Sequence, residues 1–311
     1  MQDIGIGSIG VALPDERVDT APLAPALGIE PERLERRLGF RALARMPAGA
    51  QASDLAVDAI QALVLQGLAL DTIQCLCVVT QNPDGAGIPQ VSTILHGRLG
   101  LAPSVATFDI GHGCAGFVYG LSIARAFMQV HGFRRGLLVT CDPYSKIVDP
   151  TDPHTALIFG DGAAATLLTD QPRWRVGHTD FGSHGATRDA LHVDAAHRLH
   201  MNGKRIARLA ATVVPDSIKA TIAANGLSLG EVDEVVLHQG SRYIIETIGD
   251  VLGARDKTHF YAADYGNLVS SSLPVVLAEN IAPDVKRLVL SGFGVGLSWA
   301  TTLLTRDPTG G

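Results

Sequence analysis

The chain has 311 residues, 46% hydrophobic and 18% charged, with a formal net charge of -6. That balance argues for a sizeable core rather than disorder, and the length suits two domains or one doubled domain. No basic run of the kind that grips nucleic acid is present, no apolar run is long enough to span a membrane, and no leader-like segment stands at Met1, so a cytoplasmic protein is expected. Cys75, Cys77, Cys114 and Cys141 fit no secreted disulfide framework and read as thiols.

Residues 4–13 read as a first strand. Its Gly5-x-Gly7-x-x-Gly10 matches the dinucleotide fingerprint in letters only, because Pro14-Asp15-Glu16 follow where a helix is required. Residues 28–46 carry Arg33, Arg36, Arg37, Arg41 and Arg45, either a solvated helix face or a landing site for a phosphate-bearing group. Ser53-Asp54 caps a helix through Leu65, and a strand at 73–80 follows. Cys75 and Cys77 share one face of that strand. Core packing explains them better than zinc, since no second pair has ligand spacing.

A loop at 82–89 leads to a helix holding Ile94 and Leu95. The β-prone run 105–110 then ends in Gly111-His112-Gly113, and an apolar helix opens at Cys114. It carries Phe117, Leu121, Ile123, Ala124, Phe127 and Met128 with no charge before Arg125, so it reads as buried on most sides. A cysteine at its first turn faces unpaired N–H groups and the positive end of the helix dipole, and both favour thiolate. A packed core cysteine would leave the same mark.

Next come a strand at 136–141, the loop Asp149-Pro150-Thr151-Asp152-Pro153, and a strand over 156–168 broken by Phe159-Gly160-Asp161-Gly162. Residues 182–203 are the least regular. They hold His184, His192, His197 and His200 at spacings that suit no single face, so surface histidines are expected and no metal site. A helix at 206–225, a strand at 234–238, a helix at 244–252, a loop at 264–267, a helix at 270–280 and strands at 286–291 and 297–305 complete the chain.

Three pairs of segments recur in the same order. Val78-Val79-Thr80-Gln81 answers to Val236-Leu237-His238-Gln239, Gly113-Cys114 to Gly266-Asn267, and Phe159-Gly160-x-Gly162 to Phe293-Gly294-x-Gly296. Two copies of one βα-rich unit are therefore expected, residues 1–170 and 171–311, in an α/β fold with sheets buried on both faces. If a pseudo-two-fold axis relates them, Cys114 and Asn267 line one pocket, with His238 as the third member.

The motifs Asp109…Cys114-Ala115-Gly116-Phe117, Ile158-Phe159-Gly160-Asp161-Gly162-Ala163, Met201-Asn202-Gly203, His238-Gln239, Tyr265-Gly266-Asn267 with Ser271 and Pro274, and Gly292-Phe293-Gly294-x-Gly296 stand in order along nearly the whole chain. Together they resemble a β-ketoacyl-acyl-carrier-protein synthase III, a condensing enzyme of the thiolase superfamily. The resemblance implies a thiolase-like fold, two pseudo-duplicated halves in a layered αβαβα arrangement. It implies that Cys114 takes up an acyl group as a thioester, with the backbone N–H groups of Cys114 and Val295 as oxyanion donors. His238 and Asn267 would then donate to the enolate left when a malonyl thioester loses CO2. A neutral pair can do so without burying a permanent charge.

By the same resemblance the substrate is an acyl-CoA or an acyl group on carrier-protein phosphopantetheine, with no further cofactor, and the implied partners are acyl carrier protein and a second copy of the chain. Arg37, Arg33, Arg242, Phe293, Asn202 and Gly203 are the implied substrate- and carrier-binding residues. Several positions depart from the pattern. Arg33 replaces a tryptophan that stacks on adenine, Arg37 keeps a phosphate-binding role, Pro153 replaces an arginine, and Arg242 precedes the usual carrier-facing slot, which Tyr243 takes. These favour a primer on a carrier protein or a specialised pathway. Ile88 aligns with a residue that closes the partner's acyl pocket, often Phe, and its smaller size points to a longer or branched acyl group. Two alternatives remain: acyl transfer from Cys114 to an alcohol or amine without condensation, and a non-catalytic dimer partner of an active homologue.

Overall fold

Cys75, Cys77 and Val79 pack into one hydrophobic cluster and the alternating Leu76 and Val78 into another, so the strand that carries them is covered on both faces. The same holds on the far side of the molecule, where Val236, Leu288 and Leu290 face one cluster and Val235, Leu237 and Val289 face a third. A computed structural model describes residues 3–307, so the reading made at Met1 lies outside the described residues.

The strands are β1 (Gly5–Ala12), β2 (Arg17–Asp19), β3 (Ala42–Ala44), β4 (Cys75–Val79), β5 (Ala106–Ile110), β6 (Arg135–Cys141), β7 (Ala163–Thr169), β8 (Trp174–Ser183), β9 (Leu191–Val193), β10 (Leu199–Met201), β11 (Glu234–Leu237), β12 (Arg287–Gly294) and β13 (Ser298–Arg306). The helices are α1 (Ala52–Leu65), α2 (Val91–Arg98), α3 (Gly116–His131), α4 (Gly203–Ala224), α5 (Arg242–Leu252) and α6 (Ser272–Glu279). The main sheet runs β11-β12-β13-β8-β1-β7-β6-β4-β5. β4 is parallel to β6, β6 antiparallel to β7 and β7 antiparallel to β1. β11, β12, β13 and β8 repeat that pattern. The two runs join through one residue pair, Ile6 with Trp174.

Helix placement follows from the clusters. α1 and α2 cover the outer face of the β4–β6–β7 run, and α4 and α5 the outer face of the β11–β12–β13 run. α3 and α6 bury Phe117, Leu121, Met128, Leu273 and Val276 between the two runs. The order is therefore helix, sheet, helix, sheet, helix, a thiolase-like αβαβα stack. Each large side chain buried in that middle layer contributes roughly 1.5–3 kcal/mol.

Several local expectations are corrected. Gln51, not Ser53, caps α1, and Asp54 completes the box by accepting the Gln51 N–H at 2.8 Å. The strand expected over 156–168 starts only at Ala163, because Phe159 makes an isolated bridge to Asn267 instead. β8 fell in a stretch assigned no element; its outer residues are polar and hide the alternation. Helix α3 begins at Gly116 and is not covered on one side, where Ile123 is 43% and Val130 79% exposed. Beside that stripe lies β5, an edge strand of the main sheet.

Candidate active site

β5 delivers Asp109 and then the glycine turn. The Asp109 carboxylate accepts the Val91 and Ser92 N–H groups at 2.7 and 2.9 Å, capping α2 in place of Gln90, whose side chain makes no cap bond. Gly113 is buried, and a Cβ there would lie 2.4 Å from Gln81 Oε1. Cys114 follows, one residue before the α3 cap Ala115, so it precedes the helix instead of opening it. Its sulfur lies against Gly294: a Cβ on that glycine would sit 2.6 Å from Cys114 Sγ. The backbone N–H groups of Val295 and of Cys114 itself both point at the sulfur. Burial nevertheless dominates and pushes the thiol up to about 12, against the thiolate expectation. The N–H groups lower it, but complete desolvation of the charged form outweighs them.

His238 continues β11. Its N–H donates to Ser291 O at 2.9 Å, which extends the parallel ladder by one residue and fixes where the ring leaves the sheet. The ring stands edge-on to Phe293, centroids 5.7 Å apart. Burial holds the imidazole neutral, down to about 3, and Nδ1 is buried with no hydrogen-bond partner among the described residues.

Asn267 is set by backbone bonds, its N–H to Ile158 O at 2.8 Å and its carbonyl from Gly160 N–H at 3.0 Å. Its side-chain oxygen accepts the Val269 N–H at 2.9 Å and the Ser272 hydroxyl at 3.4 Å. Because a backbone N–H can only donate, the carboxamide orientation is fixed and Nδ2–H is left to donate elsewhere. Val269 holds a φ of +53°, a conformation costing on the order of 1–3 kcal/mol for a non-glycine residue. Such strain gathers at functional sites.

One cavity of about 530 Å³ is lined by Cys114, His238 and Asn267 together with Phe159, Phe293 and Gly294. Arg33, Arg37, Asn202 and Gly203 line it as well. Asn202 also caps α4, accepting the Arg205 N–H at 3.1 Å. Two of the expected substrate- and carrier-binding residues lie apart from that lining. The Arg242 guanidinium stacks on Phe260, 5.0 Å from the ring centroid, and Ile88 is 91% exposed.

Sequence reasoning passed over Lys204 and His154, which line the cavity with Arg33, Arg37 and Tyr243. Arg33, Arg37 and Lys204 have no carboxylate partner among the described residues, whereas Arg36 pairs with Glu32 and Arg205 with Asp189. Arg37 lies over the Tyr243 ring at 5.7 Å. It also passed over Asp142, which accepts from Gln81 N–H at 2.6 Å, the Ser270 hydroxyl at 2.5 Å and the Thr80 hydroxyl at 3.4 Å. Burial lifts this carboxyl to about 6 against those bonds. A charged residue directly after the apolar run of β6 was the available signal.

A family model described as 3-oxoacyl-[acyl-carrier-protein (ACP)] synthase III matches residues 108–185, and its C-terminal counterpart matches residues 222–306. The chain is 33% identical to the β-ketoacyl-[acyl-carrier-protein] synthase III 2 of Streptomyces coelicolor, over 95% of this chain and 92% of that one. Among solved structures it is similar to 3-oxoacyl-(acyl carrier protein) synthase III of Pseudomonas aeruginosa, with a TM-score of 0.89 and 27% identity over 99% of both chains. It is also similar to a priming β-ketosynthase of a polyketide biosynthetic pathway, with a TM-score of 0.88 and 27% identity over 99% of this chain and 97% of that one.

Proposed function

The chain belongs to the 3-oxoacyl-[acyl-carrier-protein] synthase III family, and on that basis we propose that Cys114, His238 and Asn267 carry its two half-reactions. The enzyme moves an acyl group onto a cysteine and condenses it with a malonyl thioester on acyl carrier protein, the priming step of fatty-acid or polyketide synthesis. The observation that carries the assignment of residues is the shared cavity: a sulfur, an imidazole and a carboxamide from three separate segments all line it.

In the first half-reaction the Cys114 sulfur attacks the acyl carbonyl. A new C–S bond forms, the donor's C–S bond breaks, and the departing thiolate leaves with the proton that Cys114 gives up. The N–H groups of Cys114 and Val295, already directed at the sulfur, stabilise the oxyanion beside it. In the second, the malonyl carboxylate leaves as CO2. The electron pair passes into an enolate whose oxygen accepts from His238 Nε2–H and Asn267 Nδ2–H. Both are neutral donors, so nothing charged is buried before the enolate forms. The enolate carbon attacks the acyl thioester and expels Cys114 thiolate. One proton from water restores the thiol, whose raised proton affinity favours that return.

The cations at the cavity mouth, Arg33, Arg37 and Lys204 with His154 beside them, suit the phosphate of a pantetheine arm, and Asn202, Gly203 and Phe293 line its path. Tyr243 is a ring at the mouth, 47% exposed, with Arg37 lying over one face at 5.7 Å. Arg33, standing where the family has an adenine-stacking tryptophan, favours a carrier-borne primer over an acyl-CoA, with Arg242 on the first turn of α5 facing the carrier. We assign the halves 1–170 and 171–311 to the two copies of the module, and a homodimer to the open stripe of α3 beside the edge of β5, where Ile88 would meet the partner. No metal or further cofactor enters this chemistry, and the reading places the enzyme in the cytoplasm. Among the described residues no helix is long and apolar enough to cross a membrane.

The test is the intact mass of the protein after exposure to acyl thioesters. One acyl adduct, absent in Cys114→Ala, is expected. An adduct that persists in that variant would move the nucleophile elsewhere.

A further inference from the structure

Asp142 stands directly after β6 and is fully buried. One carboxylate oxygen accepts the Gln81 N–H at 2.6 Å and the Thr80 hydroxyl at 3.4 Å, and the other accepts the Ser270 hydroxyl at 2.5 Å. The Ser270 N–H donates to the same carboxylate. These bonds reach two separate turns. Gln81 lies against the nucleophile's turn, where a Cβ on Gly113 would stand 2.4 Å from its side-chain oxygen. Ser270 belongs to the turn Val269–Ser271, whose Val269 N–H donates to the Asn267 side-chain oxygen at 2.9 Å. Two residues before Asp142, Thr140 grips the same turn, accepting the Ser271 hydroxyl on its carbonyl and hydroxyl oxygens at 2.9 Å each.

A carboxylate in this place works against the first half-reaction. Its charge raises the proton affinity of Cys114, which has to give up a proton, and burying the charge is itself costly. What only a carboxylate supplies is two oxygens that accept and never donate, one for each turn. An amide could serve one side alone, because the Gln81 and Ser270 N–H groups cannot turn round to accept. The turn held by Ser270 is strained at Val269, with a φ of +53°, and such a conformation lasts only where its surroundings enforce it. We propose that Asp142 is a positioning residue for the condensation half-reaction: it holds the Val269–Ser271 turn in place and through it aims Asn267 Nδ2–H at the enolate. This rests on Asn267 being an enolate donor, as assigned above. The nucleophile's turn has supports of its own, the Tyr144 hydroxyl on the Gln81 side chain at 3.1 Å and the Thr80 N–H on Ile110 O at 3.1 Å. Acyl uptake therefore does not depend on Asp142 in the same way.

The experiment takes the full-length protein and measures the half-reactions separately: acyl uptake from a pantetheine thioester by intact mass, then CO2 release from malonyl-carrier protein by the loaded enzyme. Asp142→Asn and Ser270→Ala should each take up the acyl group within about threefold of the wild-type rate. CO2 release should fall by about tenfold or more in Asp142→Asn and in the same direction in Ser270→Ala. The loss should appear in kcat, with KM for malonyl-carrier protein little changed. In the double variant the two losses should not multiply, because both changes cut one link. Ser270→Ala carries the test if the asparagine variant fails to fold. Equal losses in both half-reactions, unchanged CO2 release in the folded variants, or losses that multiply would overturn the positioning role. Wild-type CO2 release that survives Asn267→Ala instead overturns the reading on which it depends.

Discussion

Gly294 lies so close to Cys114 that a methyl group on it would stand 2.6 Å from both the β-carbon and the sulfur of the cysteine. Real side-chain carbons do not approach that closely, and the atoms opposed are the nucleophile and its own Cβ. Gly294→Ala therefore has to displace the sulfur from the N–H groups of Val295 and Cys114. Acyl-enzyme formation is expected to fall by about 10²-fold or more, the scale of losing one oxyanion donor. Unfolding curves alongside the rates check that the fold survives; a rate within a few-fold of wild type would show that the contact is slack.

Cys114 rests as a thiol. Burial raises its proton affinity to about 12, so between pH 6 and 9 the thiolate is a small fraction that grows tenfold with each pH unit. Alkylation of Cys114 by iodoacetamide is expected to keep accelerating through pH 9. A plateau below pH 8 would mean that the N–H groups and the helix end prevail over desolvation.

Asp142 gives stability an unusual sign. Its carboxyl holds its proton up to about 6 in the folded chain, whereas an ordinary aspartate releases it near pH 4. Between these values the folded carboxyl binds more protons than the unfolded one, so the contribution of Asp142 to stability drops as pH rises from 4 to 6. Buried His238, neutral down to about 3, contributes with the opposite sign over the same window. The acids held below the usual range, such as Asp54 and Asp194, act with the opposite sign but only below pH 4. Urea unfolding of Asp142→Asn against wild type should show the variant gaining about 2–3 kcal/mol relative to wild type across that window. A difference independent of pH would contradict the raised carboxyl.

The mouth cations separate arm from phosphate. Arg37→Glu and Lys204→Glu should raise KM for a carrier-borne acyl group by about tenfold each, the worth of one charge-assisted contact, with kcat little changed. Uptake from pantetheine thioesters, which lack the phosphate, should be unaffected. Equal losses with both donors would remove the phosphate from the account.

Much of the fold was legible because its strands are buried on both faces and read as unbroken apolar runs, β4 and β6 above all. The internal repeat was legible too, since Gly113-Cys114 and Gly266-Asn267 stand at corresponding turns ahead of α3 and α6. β8 was not, because its outward residues include Arg175, His178 and Asp180 and mask the pattern. The charge state of Cys114 was misread for a physical reason: position near a helix end is visible in sequence, whereas complete desolvation depends on side chains from β12 and the 269–271 turn.

The most direct measurement is CO2 release from malonyl-carrier protein by the acyl-loaded enzyme, with Cys114→Ala, His238→Ala and Asn267→Ala alongside. The wild type is expected to release one CO2 for each β-keto product. His238→Ala and Asn267→Ala should still accept the acyl group yet lose decarboxylation by about 10²–10³-fold, and Cys114→Ala should form no condensed product. Condensation that survives at wild-type rate without the imidazole or the carboxamide, or an acyl group passed to water or an alcohol with no CO2 released, would contradict a single site built from the three residues.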